Sequence, residues 1–152
     1  MSEHVATVDW SRDDQPFVDN RYSRAHDWTF DGGAVVRGSS APSSVATPMS
    51  DPAAVDPEEA FVAALSSCHM LFFLAFAAKA GFVVDHYRDE AVGVLARDDR
   101  GKTSMTVVTL RPAASFSGVG PEAGALAALH HKAHEACYIA QSVRTEVRVE
   151  PA

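Results

Sequence analysis

Basic charge is in short supply. Lys and Arg number 13 against 20 Asp and Glu, a formal net charge of −7. That balance argues against nucleic acid or an anionic membrane surface as a partner, because both need a basic footprint. Cysteine is scarcer still, with two in 152 residues. In a reducing compartment two cysteines read as thiols or a redox pair rather than a structural bridge. The opening MSEHVATVDW has neither a basic start nor an apolar core of signal-peptide type, so a cytoplasmic location is the default expectation. A phosphate-cradling P-loop, a dinucleotide glycine fingerprint and a Gly-x-Ser-x-Gly elbow are all missing. The remaining composition, 47% hydrophobic and 22% charged, is that of a globular protein, and the length fits one domain over residues 1–152.

What the sequence does have is one long apolar stretch, Pro57 to Gly81. Asp56 as N-cap, Pro57 at the first helical position and acids at Glu58 and Glu59 mark a helix start. Lys79 in the last turn and Gly81 as a left-handed terminator mark its end. Apolar residues lie on nearly every face between these signals, which predicts a central helix buried on most sides. Its length would also suit a membrane span. The run Ser66-Ser67-Cys68-His69 at its middle is what a span would least accommodate, so it reads as the centre of a soluble domain.

Around that helix the pattern predicts an α+β domain. His4 to Trp10 alternates as a strand, and His26 to Phe30 and Ala34 to Gly38 form a hairpin about Asp31-Gly32-Gly33. Ser39 to Val55, rich in Ser, Pro and Ala, reads as a long loop. After Gly81 come two strand-like runs, Phe82 to Ala96 and Thr103 to Phe116. Charges at Arg88, Asp89 and Glu90 predict a bend or bulge in the first, and Pro112 breaks or edges the second. Glu122 to about Ala140 is a second helix, and Thr145 to Val149 a closing strand. The expected order is β-β-β, α, β-β, α, β.

Both cysteines fall on predicted helices, Cys68 in the first and Cys137 in the second. Two readings stand side by side: unrelated core cysteines, or an attacking and a resolving thiol. Spacing does not choose between them. His130 and His134, at i and i+4, with Cys137 three residues on, form a fragment of a metal site, for which His69 and Cys68 are the only further donors in view. Against it, His130 and His131 read as solvent-facing residues of a polar helix face, while His134 is open.

The segment DPEEAFVAALSSC resembles the signature of the superfamily of osmotically inducible protein C and organic hydroperoxide resistance proteins. There a Pro-Glu pair opens the central helix and a peroxidatic cysteine follows ten residues after the Glu, a separation that Glu58 and Cys68 keep. The second cysteine of the family, in an Ala-His-x-x-Cys setting, is matched by Ala133, His134 and Cys137. An arginine of the N-terminal hairpin region stands beside the reactive thiolate in that family. Arg24 is its best match here, with Arg21 the poorer candidate. The resemblance covers almost the whole chain and implies an OsmC-like fold: antiparallel sheets, a long buried central helix, a second helix and an intertwined homodimer. It also implies a thiol-dependent peroxidase acting on organic hydroperoxides, with an external, lipoyl-type dithiol as reductant and no metal or organic cofactor. Two departures mark a side branch: Tyr138 follows Cys137 where the hydroperoxide-resistance branch usually has proline, and His69 follows Cys68.

The chemistry agrees with those roles. A free thiol titrating near about 8.5 is mostly protonated at neutral pH. Mid-helix, it gains nothing from the macrodipole, so a cation must come from elsewhere, held in turn by a carboxylate such as Glu58. Glu58 and Cys68 lie roughly 15 Å apart along the helix axis, which predicts a site shared between two chains. The alternatives from other classes are a non-catalytic redox-sensing or small-molecule-binding module and a metal-binding protein using His134 and Cys137.

Overall fold

A computed structural model describes residues 1–152, in the order β1 (Ala6–Asp9), β2 (His26–Phe30), β3 (Val35–Gly38), α1 (Pro57–Lys79), β4 (Val83–Asp89), β5 (Val92–Arg97), β6 (Thr103–Leu110), β7 (Pro112–Ser117), α2 (Ala123–Ala136), α3 (Tyr138–Gln141) and β8 (Glu146–Val149). The class is α+β, as the pattern predicts. The backbone divides into two compact units, Met1–Ala60 and Phe61–Ala152, with the boundary inside the first turns of α1.

In the first unit β1, β2 and β3 form an antiparallel meander, with Ala6 opposite Phe30 and His26 opposite Gly38. The hairpin turn falls where Asp31-Gly32-Gly33 predicts it: Gly33, at φ +85°, donates its N–H to the Phe30 carbonyl at 2.9 Å. A side chain at Gly38 would meet His26 Nε2 at 2.6 Å and Trp28 Nε1 at 2.9 Å, so any other residue would have to displace one of these rings. The loop beyond returns to β3, with Ser39 donating to Val55 and Val55 to Arg37, each at 3.0 Å. The start of α1 is a reciprocal capping box. Glu59 N–H donates to the Asp56 carboxylate at 2.7 Å, and Asp56 N–H to that of Glu59 at 3.2 Å.

In the second unit α1 ends in a Schellman motif. Phe82 N–H reaches the Ala77 carbonyl and Gly81 N–H that of Ala78, both at 3.0 Å, with Gly81 at φ +85°. Each of the two long strand runs is really two strands in different sheets. β4 pairs with β7, while β5, β6 and β8 form a second sheet in which β6 and β8 run parallel. The breaks, at Glu90 and at Arg111, are tied together by Asp89, whose carboxylate accepts the Arg111 N–H at 2.6 Å. Asp89 also accepts the Ser66 hydroxyl of α1 at 2.6 Å.

Within a single chain α1 is covered along one side. Its buried residues are one stripe at four-residue spacing: Leu65, His69, Phe73 and Ala77. Phe73 and Ala77 join Leu129 and Ala133 of α2 in one apolar cluster, and Leu65 joins Val108 and Leu110 in another. His69 lies on the stripe between them. The other flank, with Ala63, Ala64, Leu71, Ala75 and Ala78, is exposed, Leu71 by 60%. The second helix is also broken: Cys137 has ψ 110°, outside the helical range, and separates α2 from α3.

Candidate thiol site and a buried histidine bridge

Neither cysteine is in a disulfide, and the two differ in exposure, Cys68 being half-buried and Cys137 buried. Cys68 stands one residue before His69, on the edge of the buried stripe of α1. Cys137 closes α2 and caps α3, its Sγ accepting the Ala140 N–H at 3.4 Å. Burial pushes the Cys137 thiol up to about 11, and the neighbouring Cys68 side chain adds to the effect. The two cysteines read from spacing alone as either strangers or a pair are therefore neighbours. One turn beyond Cys68, Phe72 meets Tyr138 edge-on, with ring centroids 5.0 Å apart. The residue that replaces the usual proline thus adds a second tie between the same two segments.

Arg24 and Glu58 belong to the first unit. Arg24 donates to the Asn20 carbonyl at 3.0 Å, to the Asn20 side-chain oxygen at 2.6 Å and to the Tyr22 carbonyl, and its guanidinium lies 3.9 Å over the Tyr22 ring. It lines a cleft of about 390 Å³ with Trp10, Phe17, Tyr22 and His26. Glu58 is half-buried in the first turn of α1 and enters none of the ion pairs, so Arg24 has no carboxylate from it. Arg21 is exposed.

The histidines are where the sequence reading fails most clearly. His130, expected to face solvent, is 4% exposed, whereas His131 is exposed as expected. His130 stacks on Phe73 with centroids 4.4 Å apart, and its Nδ1 lies 3.1 Å from Nε2 of His69, itself 1% exposed. The two imidazoles are nearly parallel, at 5°. Burial pulls His69 down to about 4, with the nearby His130 and His134 adding to the effect. Burial lowers His130 too, against an opposing pull from the Asp89 carboxylate. Both imidazoles are neutral at pH 7, one lending an N–H and the other a lone pair. The signal was present: His69 keeps four-residue spacing with Leu65 and Phe73, and His130 lies seven before Cys137 on the stripe through Ala133. No group of three or more His, Cys, Asp or Glu is placed to hold a metal ion, so the His134–Cys137 fragment does not extend to a metal centre.

Comparison with known proteins agrees with this architecture. No curated protein matches the chain. An OsmC-like protein of unknown function from Vibrio cholerae shares 55% identity over 100% of both chains, with a TM-score of 0.98. An organic hydroperoxide resistance protein from Elizabethkingia anophelis is 16% identical over 99% of this chain and 94% of its own, with a TM-score of 0.72. The organic hydroperoxide resistance protein OhrB of Bacillus subtilis is 17% identical over 99% and 98%, with a TM-score of 0.65. At those identities the last two share the fold. The family model for OsmC-like proteins matches residues 50–152, the stretch that holds α1, both thiols and the histidine bridge, and the chain belongs to the OsmC-like family.

Proposed function

We propose that the chain is a thiol peroxidase that reduces organic hydroperoxides, with Cys68 as the attacking thiol and Cys137 as the resolving one. The observation that carries this reading is the adjacency of two free thiols of unequal burial. Cys68 is only half-buried, while Cys137, buried and held up at about 11, is a poor first nucleophile at neutral pH. Cys68 thiolate attacks the outer peroxide oxygen and the O–O bond breaks. The alkoxide leaves as an alcohol on taking a proton, and Cys68 becomes a sulfenic acid. Cys137 then displaces the hydroxyl to form the disulfide, releasing water. An external dithiol, of the lipoyl type by the resemblance, returns both thiols. A reducing cytoplasm is the compartment in which the cycle closes.

Thiol titration after one equivalent of cumene hydroperoxide, with hydrogen peroxide as control, tests the reading. The expected result is loss of two thiols per chain for one cumyl alcohol formed. Thiols that survive both peroxides would reject a peroxidase.

Arg24 is assigned as the thiolate's cation on the resemblance, with Glu58 as the family's supporting carboxylate. Arg24→Ala is expected to slow iodoacetamide alkylation of Cys68 at neutral pH by several-fold, about the loss of one charge neighbour. An unchanged rate would take the role from Arg24. The engagement of its guanidinium by Asn20 and Tyr22, without a carboxylate, is what favours a second reading, a redox-sensing or small-molecule-binding module that oxidises once without turnover.

A further inference from the structure

Two cross-links join α1 to α2 and its end, the thiol pair and the His69–His130 bridge, and they leave α1 from adjacent residues. An apolar pair would fill this space with no desolvation of polar groups. Two imidazoles instead place a directional bond, 3.1 Å long, between the apolar cluster that packs α1 on α2 and the one that packs α1 on β6.

We propose that His69 and His130 are a positioning pair for the resolving step: their hydrogen bond fixes the rotation of α1 against α2 so that Cys137 meets the sulfur of oxidised Cys68. The inference rests on the peroxidase reading for the identity of the step, but the positioning concerns the thiols themselves. In that step the Cys137 sulfur bonds to the sulfenic sulfur of Cys68, the S–O bond breaks, and the departing hydroxide takes the Cys137 proton to leave as water.

The bridge is most favourable while it is uncharged. A proton on either ring puts a charge in the interior, and protons on both leave two donors and no acceptor across the gap. The groups facing the pair are few. His134 of α2 acts on His69, and Asp89 at the end of β4 acts on His130. Tyr87 of β4 meets Phe73 at a tilt, while β8 brings only Val147 and Val149 to the cleft beside His130 and His134. Of these only Asp89 favours a proton on the pair, and its carboxylate is already taken by Ser66 and Arg111. The sign follows: His69 is held below its ordinary value, so the opened arrangement binds more protons than the bridged one. The bridge is at full strength above about pH 6.5 and weakens as pH falls toward His69's lowered value.

The test uses the full-length protein and a dimedone quench with mass spectrometry, which separates formation of the Cys68 sulfenic acid from its conversion to the disulfide. His69→Leu removes the bond, whereas His69→Gln sets an untitratable amide where Nε2 stands. With cumene hydroperoxide, His69→Leu should form the sulfenic acid at close to the wild-type rate and close the disulfide roughly ten- to a hundredfold more slowly. His69→Gln should close it at nearly the wild-type rate at pH 7. The ratio of wild-type to His69→Gln closure rates cancels the titration of Cys137, and it should fall several-fold by about pH 5.

Closure by folded His69→Leu at the wild-type rate would overturn the proposal. Where His69→Leu fails to fold, the ratio decides alone, and one that is flat with pH overturns it. Diamide separates the two claims, because it oxidises the dithiol directly and is itself reduced to the hydrazine. If peroxide leaves the wild type untouched but diamide closes its disulfide faster than that of His69→Leu, the peroxidase reading fails and the positioning stands. If diamide does not close the wild-type pair, the positioning fails.

Discussion

Cys68→Ser is expected to abolish consumption of organic hydroperoxide, a fall on the order of a thousandfold or more, because nothing else in the site supplies the attacking atom. A serine hydroxyl stays protonated at neutral pH and has no sulfenic state to enter. Cys137→Ser should behave differently. The first equivalent of peroxide is reduced at the wild-type rate, the Cys68 sulfenic acid accumulates, and excess peroxide carries it to the sulfinic acid. The asymmetry follows from the unequal burial of the two thiols and from the raised Cys137, which keeps the second sulfur out of the first step. The measurement is single-turnover consumption with mass spectrometry of the product, with and without added dithiol. Normal steady-state turnover by Cys137→Ser in dithiol would remove the resolving role, and residual turnover by Cys68→Ser would remove the attacking one.

The second large effect is on assembly. We propose that the chain works as a homodimer, and that sedimentation at micromolar concentration will show a single species of about twice the 16.2 kDa chain mass. The exposed flank of α1, with Leu71 open by 60% amid Ala63, Ala64, Ala75 and Ala78, is an apolar surface on an already hydrophobic helix. Burying one leucine contributes about 1.5–3 kcal/mol, and an isologous contact counts every such burial twice. Stability should therefore rise with protein concentration, since folding and association are then one equilibrium. A folded monomer that consumes peroxide at micromolar concentration would sink this expectation.

Much of the fold was legible because its punctuation is local. Asp56, Pro57 and Glu59 cap α1 within four residues, Gly81 closes it with a left-handed turn, and Gly33 sets the hairpin. What was illegible depends on partners far along the chain. The charges at Arg88 to Glu90 and Pro112 mark where each long run is interrupted, but not that its halves join different sheets; the Asp89 to Arg111 bond that joins the breaks spans 22 positions. The helix expected to run to Ala140 stops at Cys137, although no glycine or proline marks the place. His130 looked solvent-facing because a histidine beside His131 and Lys132 reads as polar surface. Its burial is decided by His69, 61 positions away. The thiols are similar: each was visible, but their adjacency is a property of how α2 returns to α1.

The interruption at Cys137 has a mechanical consequence. Its N–H bonds to the His134 carbonyl, three residues back, at 3.2 Å, and its own carbonyl accepts the Gln141 N–H at 3.0 Å. It is thus the last link of one helix and the first of the next, with an extended ψ between. A hinge of that kind turns mainly about the torsions of a single residue, so both short helices keep their internal hydrogen bonds as it moves. The sulfur that caps α3, and that has Cys68 as its neighbour, is carried by this same residue. In the proposed cycle, strain from closing the disulfide would fall on this one joint, beside the buried stripe of α1 from Leu65 to Ala77.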